Sequence, residues 1–325
     1  MANLRQSHPL DKGALLHPGL VIASHGRHVW VETPEGRKVI CHPRGKKSQT
    51  VVGDRVLWQS TQDEGTIEKV LPRKNLLYRQ DEVRTKSFAS NLDQVVILLG
   101  AEPEFSESQL ARALIAAEAE KIHPLIVLNK RDLTPLFERS WQRLAPYRAM
   151  GYTVLATAFK PQSSTLKSTP EEQLTDNEQL ALALQAKTSL ILGPSGAGKS
   201  TLINRWVPQA QVLTQEISTA LNSGKHTTTS TSLYWTDAAK TTALIDSPGF
   251  QEFGLHHIAP MQLAQLMPDI AAQASACKFY NCSHLHEPGC GVLSAIQGTV
   301  VDVEISPTRY KIYSDLFSEL SQTRY

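Results

Sequence analysis

Residues 193–200 read GPSGAGKS and follow an apolar stretch, TSLIL, with helix-forming residues behind them. This is the G-x-x-x-x-G-K-[ST] pattern in the strand–loop–helix context that a phosphate-binding loop requires. Its backbone N–H groups can surround phosphates, Lys199 can neutralise the β- and γ-phosphates, and the Ser200 hydroxyl can bind Mg²⁺. The predicted phosphate-binding residues are Gly193, Ser195, Gly196, Gly198, Lys199, Ser200 and Thr201.

A second motif, Asn129-Lys130-Arg131-Asp132, ends the apolar stretch PLIVLN, where ligand-binding loops of parallel sheets lie. The Asp132 carboxylate can accept hydrogen bonds from both N1–H and the 2-amino group of guanine, a donor pair that adenine lacks. We expect Asn129 to hold the loop and contact the base edge, and Lys130 to lay its stem along the ring. This motif precedes the phosphate loop, the reverse of the order in Ras-like GTPases. The sequence therefore predicts a circularly permuted GTP-binding domain.

Two further elements complete the predicted nucleotide site. Asp246-Ser247-Pro248-Gly249 follows the stretch TTALI and fits D-x-x-G, in which Asp246 holds Mg²⁺ through water and the Gly249 N–H meets the γ-phosphate. Thr157-Ala158 follows GYTVLA and is the candidate loop behind the base, with the Ala158 N–H near the base carbonyl.

The segment before D-x-x-G reads GKHTTT, residues 224–229, and is a candidate switch. One threonine of 227–229 is expected to bind Mg²⁺ and sense the γ-phosphate, and Thr228 and Thr229 are predicted nucleotide-binding residues. Phe250 stands where Ras-like enzymes place the glutamine that orients water, and its ring cannot hydrogen-bond. His226 is the candidate catalytic residue instead, because a neutral imidazole can accept a proton near pH 7.

A dense cysteine and histidine cluster, CKFYNCSHLHEPGC, occupies residues 277–290. Three thiolates and one imidazole complete a tetrahedral Zn²⁺ site with no open position, which is typical of a structural metal. His286 competes with His284 for the histidine position, and Cys41 is a predicted barrel core residue. The predicted zinc ligands are Cys277, Cys282, His284 and Cys290.

These motifs fit an α/β multidomain chain. We predict an N-terminal tail over 1–17, an OB-fold β-barrel over 18–80, a circularly permuted P-loop GTPase domain over 81–254, and a zinc-binding helical domain over 255–325. The barrel rests on five short valine- and isoleucine-rich stretches separated by turn residues. The central domain rests on alternating apolar strands and amphipathic helices, the pattern of a parallel sheet.

Several local elements are predicted as well. Residues 76–90 look like a polar linker, and 160–176, rich in Ser, Thr, Pro and Glu, like a mobile connection before a helix over 177–187. One helix is expected around 135–149. A last helix begins at Ser306, a good N-cap, followed by Pro307.

The charge is uneven along the chain of 325 residues. Residues 1–86 carry 15 Lys and Arg against 9 Asp and Glu, a net charge of +6, and the remainder carries 18 against 22, a net of −4. A basic end favours a polyanion such as nucleic acid, although a merely solvated surface explains it equally well. With 41% hydrophobic and 20% charged residues and no long apolar run, we expect a cytoplasmic monomer with no membrane partner.

Taken together, the chain resembles the ribosome small subunit-dependent GTPase A family (RsgA or YjeQ) over about residues 18–320. The motifs NLDQVVILLGAEPEFS, PLIVLNKRDL, GPSGAGKSTLIN, GKHTTT, DSPGF and CKFYNCSHLHEPGC follow its pattern in its permuted order. Ser247 stands where that family usually has Thr, and Thr157 where it has Ser, so both hydroxyls remain. The connection over 160–176 is long by comparison.

The resemblance implies GTP hydrolysis in late maturation of the small ribosomal subunit, stimulation by that subunit, contact with 16S rRNA, and release of another assembly factor. It implies that His226 acts in catalysis, that Zn²⁺ binds the three cysteines and His284, and that Mg²⁺ accompanies GTP. Two other readings stay open at this point: a P-loop ATPase or kinase, and a nucleotide-switched RNA-binding scaffold with little turnover.

Overall fold

The computed structural model describes residues 15–25, 28–45, 50–61, 64–159, 170–208, 210, 231–247, 250, 253–297 and 305–322. Among these residues, no helix combines the length and the apolar character of a membrane span. The predicted tail over 1–17 lies almost entirely outside the described residues.

The barrel consists of five strands: β1 His17–His25, β2 His28–Glu32, β3 Lys38–Pro43, β4 Arg55–Ser60 and β5 Gly65–Val70. They pair in the order β1-β2-β3-β5-β4, and β4 pairs again with β1, which closes the sheet on itself. Only β3 and β5 run parallel. Alternate side chains point inward, and the buried residues are Val21, Val29, Val31, Cys41, Val56, Trp58 and Ile67. The predicted barrel and its core cysteine are confirmed.

The linker predicted over 76–90 is wrong. These residues form an antiparallel hairpin of β6 Leu76–Gln80 and β7 Thr85–Ser90, which crosses the domain boundary predicted at 80/81. Leu77 and Phe88 are buried in the main apolar core, so tertiary burial outweighs the polar composition of the segment.

A buried carboxylate ties this hairpin to the barrel. Asp54 is fully buried and accepts two hydrogen bonds from the Arg73 guanidinium, at 2.7 and 2.8 Å. It also accepts the Ser90 hydroxyl of β7 at 2.6 Å. The charge is therefore paired and hydrogen-bonded, as burial requires.

The central sheet contains β8 Gln94–Gly100, β9 His123–Asn129, β10 Thr153–Ala156, β11 Thr188–Leu192, β12 Thr231–Trp235 and β13 Ala243–Asp246. Their spatial order is β10-β9-β8-β11-β13-β12, with β12 antiparallel and the rest parallel. Counted from β11 as the first strand, with β8 following β13, this order reads 6-5-4-1-3-2. The guanine-motif strand thus precedes the phosphate-loop strand in sequence while lying two strands away from it in space.

Helices cover both faces of this sheet. Its central helices are α1 Glu107–Ala119, α2 Thr134–Arg143, α3 Ala145–Ala149, α4 Pro170–Leu184 and α5 Lys199–Trp206. Alternate residues of β8 point to opposite cores: Val95 and Ile97 pack with α1, and Val96 with α4 and α5. Burial on both faces explains why these strands read as continuous apolar runs.

Two helix predictions need correction. The helix expected around 135–149 is broken at Leu144, because Pro146 has no N–H to continue the first helix and instead opens the second. The connection expected over 160–176 is helical from Pro170, since α4 begins seven residues before the predicted position 177. Pro170 followed by two glutamates is a helix-start pattern that the Ser- and Thr-rich composition obscured.

The C-terminal region contains a 3₁₀ helix Pro260–Leu266, α6 Pro268–Ala274, α7 Gly291–Ile296 and α8 Pro307–Ser321. Ser306 caps α8 by accepting the Arg309 N–H, as predicted. Tyr313 and Leu316 of α8 belong to the same apolar core as Val95 of the central sheet. The C-terminal region therefore shares one apolar core with the central domain, and its 3₁₀ helix contacts α1.

Barrel and central sheet are continuous through one strand pair. β1 pairs with β12, with Ala23 opposite Ser232 and Ser24 opposite Thr231. Next to this junction, the buried Glu32 accepts hydrogen bonds from Trp235 Nε1 at 2.7 Å and Lys240 Nζ at 3.0 Å. All described strands except the hairpin thus form one eleven-stranded sheet.

Candidate nucleotide site and metal cluster

The parallel strands deliver their carboxyl ends to one edge of the sheet, and the predicted motifs follow these ends. The last strand residues at this edge are Gly100, Ala156, Asn129, Leu192 and Asp246. This is the edge at which open α/β sheets bind ligands.

A cavity of about 530 Å³ opens at this edge. It is lined by Glu102, Asn129, Lys130, Asp132, Leu133, Phe159, Ser195, Gly196, Gly198, Lys199, Ser200 and Thr201. The guanine motif and the phosphate loop, predicted from segments about sixty residues apart, therefore face one cavity.

Asn129 joins the two halves of this cavity. Its side chain is buried, and its Nδ2 donates to the Ala197 carbonyl of the phosphate loop at 2.9 Å. Its Oδ1 accepts the Phe159 N–H at 3.2 Å and lies 3.4 Å from the Thr157 hydroxyl. The expected loop-holding contact is thus present, and the loops after β9, β10 and β11 are fixed to one another.

The phosphate loop is closely built around Gly198 and Lys199. Gly198 has φ of +109°, and a Cβ there would lie 2.4 Å from Asn129 Nδ2, so only glycine fits. The next residue begins α5, and its Nζ donates to the carbonyls of Gly193 and Pro194 at 2.6 and 3.0 Å. The ammonium group consequently lies over the loop, at the N-terminal end of a helix, where anions are favoured.

Lys199, which lines the cavity, interacts electrostatically with Asp246 at the end of β13. Burial lowers the pKa of Lys199, and the carboxylate of Asp246 opposes that shift. Burial raises the pKa of Asp246, and the ammonium of Lys199 opposes it. Each charge is desolvated and only partly compensated by the other, an arrangement suited to receiving phosphate and a divalent cation.

Thr157 and Ala158 lie behind the cavity and do not line it. Both are buried, and the backbone carbonyl of Thr157 accepts the Arg131 N–H at 3.1 Å. Phe159, the next residue, presents its ring to the cavity and contacts Trp206 edge-on. At the base end, Lys130 has φ of +72° and donates through Nζ to the Glu102 carbonyl.

The predicted switch residues His226, Thr228 and Thr229, together with Gly249, lie outside the described residues. Phe250 is described, and it is buried in the apolar core beside Phe253. This apolar ring is therefore part of the core, and it offers no group that could orient water as a Ras-type glutamine does.

Sequence reasoning missed three lining residues, Glu102, Leu133 and Phe159. Leu133 and Phe159 directly follow the motif residues Asp132 and Ala158, so adjacency was the available signal. Glu102 follows β8, and nothing in the sequence around it indicated a place in the cavity.

The four predicted zinc ligands converge in the C-terminal region. Their donor atoms all lie within 4.8 Å of one another. Cys277 Sγ lies 3.3 Å from His284 Nδ1 and 3.9 Å from Cys290 Sγ, and Cys290 Sγ lies 3.5 Å from that nitrogen. With Zn–S bonds of about 2.3 Å, a tetrahedral site has sulfur–sulfur edges of roughly 3.8 Å, so these donors fit Zn²⁺. His286 is exposed and outside the cluster.

Backbone N–H groups point to two of the cysteine sulfurs, and burial acts on a third. The Gly291 N–H points to Cys277 Sγ at 3.3 Å, and the Leu293 N–H to Cys290 Sγ at 3.5 Å. Burial raises the pKa of the Cys282 thiol to about 12, a cost that a bound cation would reverse. Tyr310 of α8 donates to the His284 carbonyl at 3.0 Å, which fixes the loop against that helix.

Fold and site together define a circularly permuted P-loop GTP-binding protein. The family model RsgA GTPase matches residues 70–256, more than half of the chain. The chain belongs to the RsgA GTPase family.

Relatives span nearly the whole chain. A protein of Variovorax paradoxus called small ribosomal subunit biogenesis GTPase RsgA is 66% identical over 96% of this chain and 95% of its own length. A protein of the same name from Paraburkholderia phytofirmans is 48% identical over 94% of this chain and 93% of its own length. Among solved structures, YjeQ from Thermotoga maritima aligns with a TM-score of 0.68 at 29% identity, covering 95% of this chain and all of that one. YloQ, described as a circularly permuted GTPase, aligns with a TM-score of 0.66 at 27% identity, covering 98% of this chain and all of that one.

Proposed function

We propose that this chain hydrolyses GTP to GDP and phosphate during late maturation of the small ribosomal subunit, stimulated by that subunit and in contact with 16S rRNA. The observation that carries the proposal is the single cavity in which Asn129 bonds the guanine-motif loop to the phosphate loop. The relatives named as small ribosomal subunit biogenesis GTPases support the biological setting.

In this proposal the described residues divide the nucleotide between them. Asp132 accepts the two guanine donors, with Lys130 along the ring and the Thr157-Ala158 backbone behind the base. The N–H groups of the loop over 193–201 hold the phosphates, and Lys199 neutralises them. Ser200 and Asp246 would hold Mg²⁺, which supplies charge neutralisation on the phosphates. Thr228, Thr229 and Gly249 are proposed to contact the γ-phosphate side.

Water activation falls to the switch in this scheme. Phe250 is 4% exposed and has no hydrogen-bonding group, so it cannot orient water. We assign that role to His226. Subunit stimulation is then proposed to act through the segment over 224–229.

The cysteine cluster is proposed to hold one structural Zn²⁺ through Cys277, Cys282, His284 and Cys290. Four protein donors leave no coordination position for substrate. The ion would fix the loop whose His284 carbonyl accepts the Tyr310 hydroxyl of α8. It would thereby stabilise the C-terminal region where it packs on the central domain.

Contact with rRNA is supported by charge and by exposed aromatic side chains. Residues 1–86 carry a net charge of +6, which favours a polyanion. On the cysteine-cluster loop, Tyr280 is fully exposed and Phe279 is 42% exposed, with Lys278 Nζ 5.6 Å from the Phe279 ring centroid. Exposed rings beside a cation suit unpaired bases. We further propose that the chain acts in the cytoplasm as a monomer, which sedimentation would test.

The decisive experiment compares GTP turnover by the full chain with and without purified small subunits. Acceleration by small subunits, and none by large subunits at the same concentration, is expected. Equal rates would reject stimulation, and nucleotide binding without turnover under every condition would instead indicate a nucleotide-switched scaffold.

Two variants assign the roles within that assay. Asp132→Asn should shift preference from guanine to xanthine nucleotides, because the amide can donate to the xanthine carbonyl. His226→Ala should lower stimulated hydrolysis while leaving GTP affinity unchanged. Retained guanine preference in Asp132→Asn would show that Asp132 does not read the base. Full turnover in His226→Ala would show that His226 does not act in hydrolysis.

A further inference from the structure

Two histidines and a glutamate converge on the barrel, far in sequence from the cysteine cluster. They are His28 at the start of β2, His42 in β3 and Glu64 immediately before β5. We propose that these three residues bind a second divalent transition-metal ion of the Zn²⁺ type. This site lies outside the proposed GTP mechanism and does not depend on it.

Strand register brings the two histidines side by side and Glu64 close to them. β2 and β3 are antiparallel, with Val29 opposite Cys41, which places His28 beside His42. β3 and β5 are parallel, with Cys41 opposite Gly65 and His42 opposite Thr66. Glu64, immediately before β5, therefore lies diagonal to His42 and on the same face of the sheet as Thr66.

The cluster lies on the outer face of the barrel. Val29 and Cys41 are buried inside the barrel, at 2% and 0% exposure. Successive side chains of a strand point to opposite faces, so His28 and His42 project outward. In agreement, the side chains of His42 and Glu64 are 41% and 38% exposed.

The donor atoms are already gathered as a metal requires. One ring nitrogen of each histidine and one carboxylate oxygen lie within 4.8 Å of one another. The two imidazole rings have centroids 4.5 Å apart, and His42 Nε2 contacts the Glu64 carboxylate. An ion pair between His42 and Glu64 alone would leave His28 unexplained, whereas a shared metal uses all three.

The donor set also selects the ion. Two imidazoles and a carboxylate suit Zn²⁺ and similar borderline metals better than Mg²⁺ or Ca²⁺, which prefer oxygen. Three protein ligands with partial exposure leave a fourth position for water, unlike the closed cysteine cluster. A bound ion would cross-link β2, β3 and β5.

Metal content of the intact chain tests the site. The protein is equilibrated with micromolar free Zn²⁺, and zinc per chain is measured by mass spectrometry of the metal. Wild type is expected to bind two ions, and His28→Ala and His42→Gln one each. His123→Ala, which removes an exposed histidine elsewhere, should still bind two. One ion in wild type, or two in both the His28 and His42 variants, would overturn the proposal.

A measurement on wild type covers the case in which a variant folds poorly. With Co²⁺ in place of Zn²⁺, the second equivalent should add ligand-field absorption without thiolate charge transfer. It should also broaden the imidazole NMR signals of His28 and His42 and leave those of His123 unchanged. Thiolate absorption from that equivalent, or unbroadened His28 and His42 signals, would place the ion elsewhere and overturn the assignment.

Discussion

Replacement of Asn129 by alanine should weaken nucleotide binding as a whole rather than guanine selectivity. The change removes hydrogen bonds to the Ala197 carbonyl at 2.9 Å and from the Phe159 N–H at 3.2 Å, both buried. Each buried bond contributes about 1 kcal/mol, so about 2 kcal/mol of loop order is lost. If nucleotide binding must restore that order, the Kd for GDP rises up to roughly thirtyfold.

The assay is calorimetric titration of GDP and of xanthosine diphosphate into wild type, Asn129→Ala and Asp132→Asn. Asn129→Ala should weaken both ligands by a similar factor, because Asn129 does not read the N1–H and 2-amino donor pair that distinguishes guanine from xanthine. Asp132→Asn should change their ratio instead.

Asn75→Ala is a matched control. Asn75 is also buried and makes two backbone hydrogen bonds, with the Leu92 carbonyl at 2.9 Å and the Leu92 N–H at 2.8 Å, away from the cavity. It should lose comparable stability to thermal unfolding yet bind GDP normally. GDP affinity of Asn129→Ala within about twofold of wild type would refute the reasoning, since a factor of two is only about 0.4 kcal/mol.

Three other substitutions or conditions test different parts of the structure. Gly198→Ala should abolish GDP binding, because its Cβ would lie 2.4 Å from Asn129 Nδ2; GDP titration measures it. Zinc retention should fall as pH falls, because burial raises the pKa of the Cys282 thiol to about 12 and protons then compete with the metal; metal analysis after dialysis at stepped pH measures it. Arg309→Met should lower the free energy of unfolding by about 3–5 kcal/mol in urea denaturation, because it strands the Asp269 carboxylate.

Controls separate these effects from general damage. Gly151 also has a left-handed backbone conformation, with φ of +91°, but no atom lies within 4 Å of a Cβ added there. Gly151→Ala should therefore bind GDP normally. Lys311→Met breaks an exposed ion pair with Asp315 on the same helix and should cost less than about 0.5 kcal/mol. Normal GDP binding by Gly198→Ala would contradict the first prediction, and zinc retention that is the same at every pH would contradict the second. The third would be contradicted if Arg309→Met lowered the free energy of unfolding by no more than Lys311→Met does.

The parts of the fold that follow from local pattern could be predicted from the sequence. The five barrel strands follow from short valine- and isoleucine-rich stretches separated by turn residues, and the start of α8 at Ser306 follows from capping chemistry. The phosphate loop is recognisable because its conformation needs glycine at fixed positions, as the 2.4 Å approach at Gly198 illustrates.

Other parts could not be predicted, for identifiable physical reasons. Residues 76–90 look like a linker by composition, and only the burial of Leu77 and Phe88 against distant residues makes them a hairpin. The pairing of β1 with β12 joins segments more than two hundred residues apart. Such contacts depend on tertiary register, which a local pattern does not contain.

The same division applies to the sites. The NKRD and cysteine motifs are compact in sequence and were recognisable, and the structure gathers their described residues as expected. The cluster of His28, His42 and Glu64 has no motif spacing, because the pairing of distant strands brings it together. Phe159 lines the cavity because of the conformation of the loop after β10, which its residue type does not indicate.

The pairing of β1 with β12 also protects a sheet edge. β12 is the last strand of the central sheet, and an uncovered edge strand offers unpaired N–H and C=O groups to other chains. β1 occupies part of that edge at Ser232 and Thr231, and then continues into a barrel that closes on itself. A central domain separated from the barrel would regain an open edge beside apolar Leu233, and with it a tendency to aggregate. The barrel thus serves the solubility of its neighbour as well as any partner it binds.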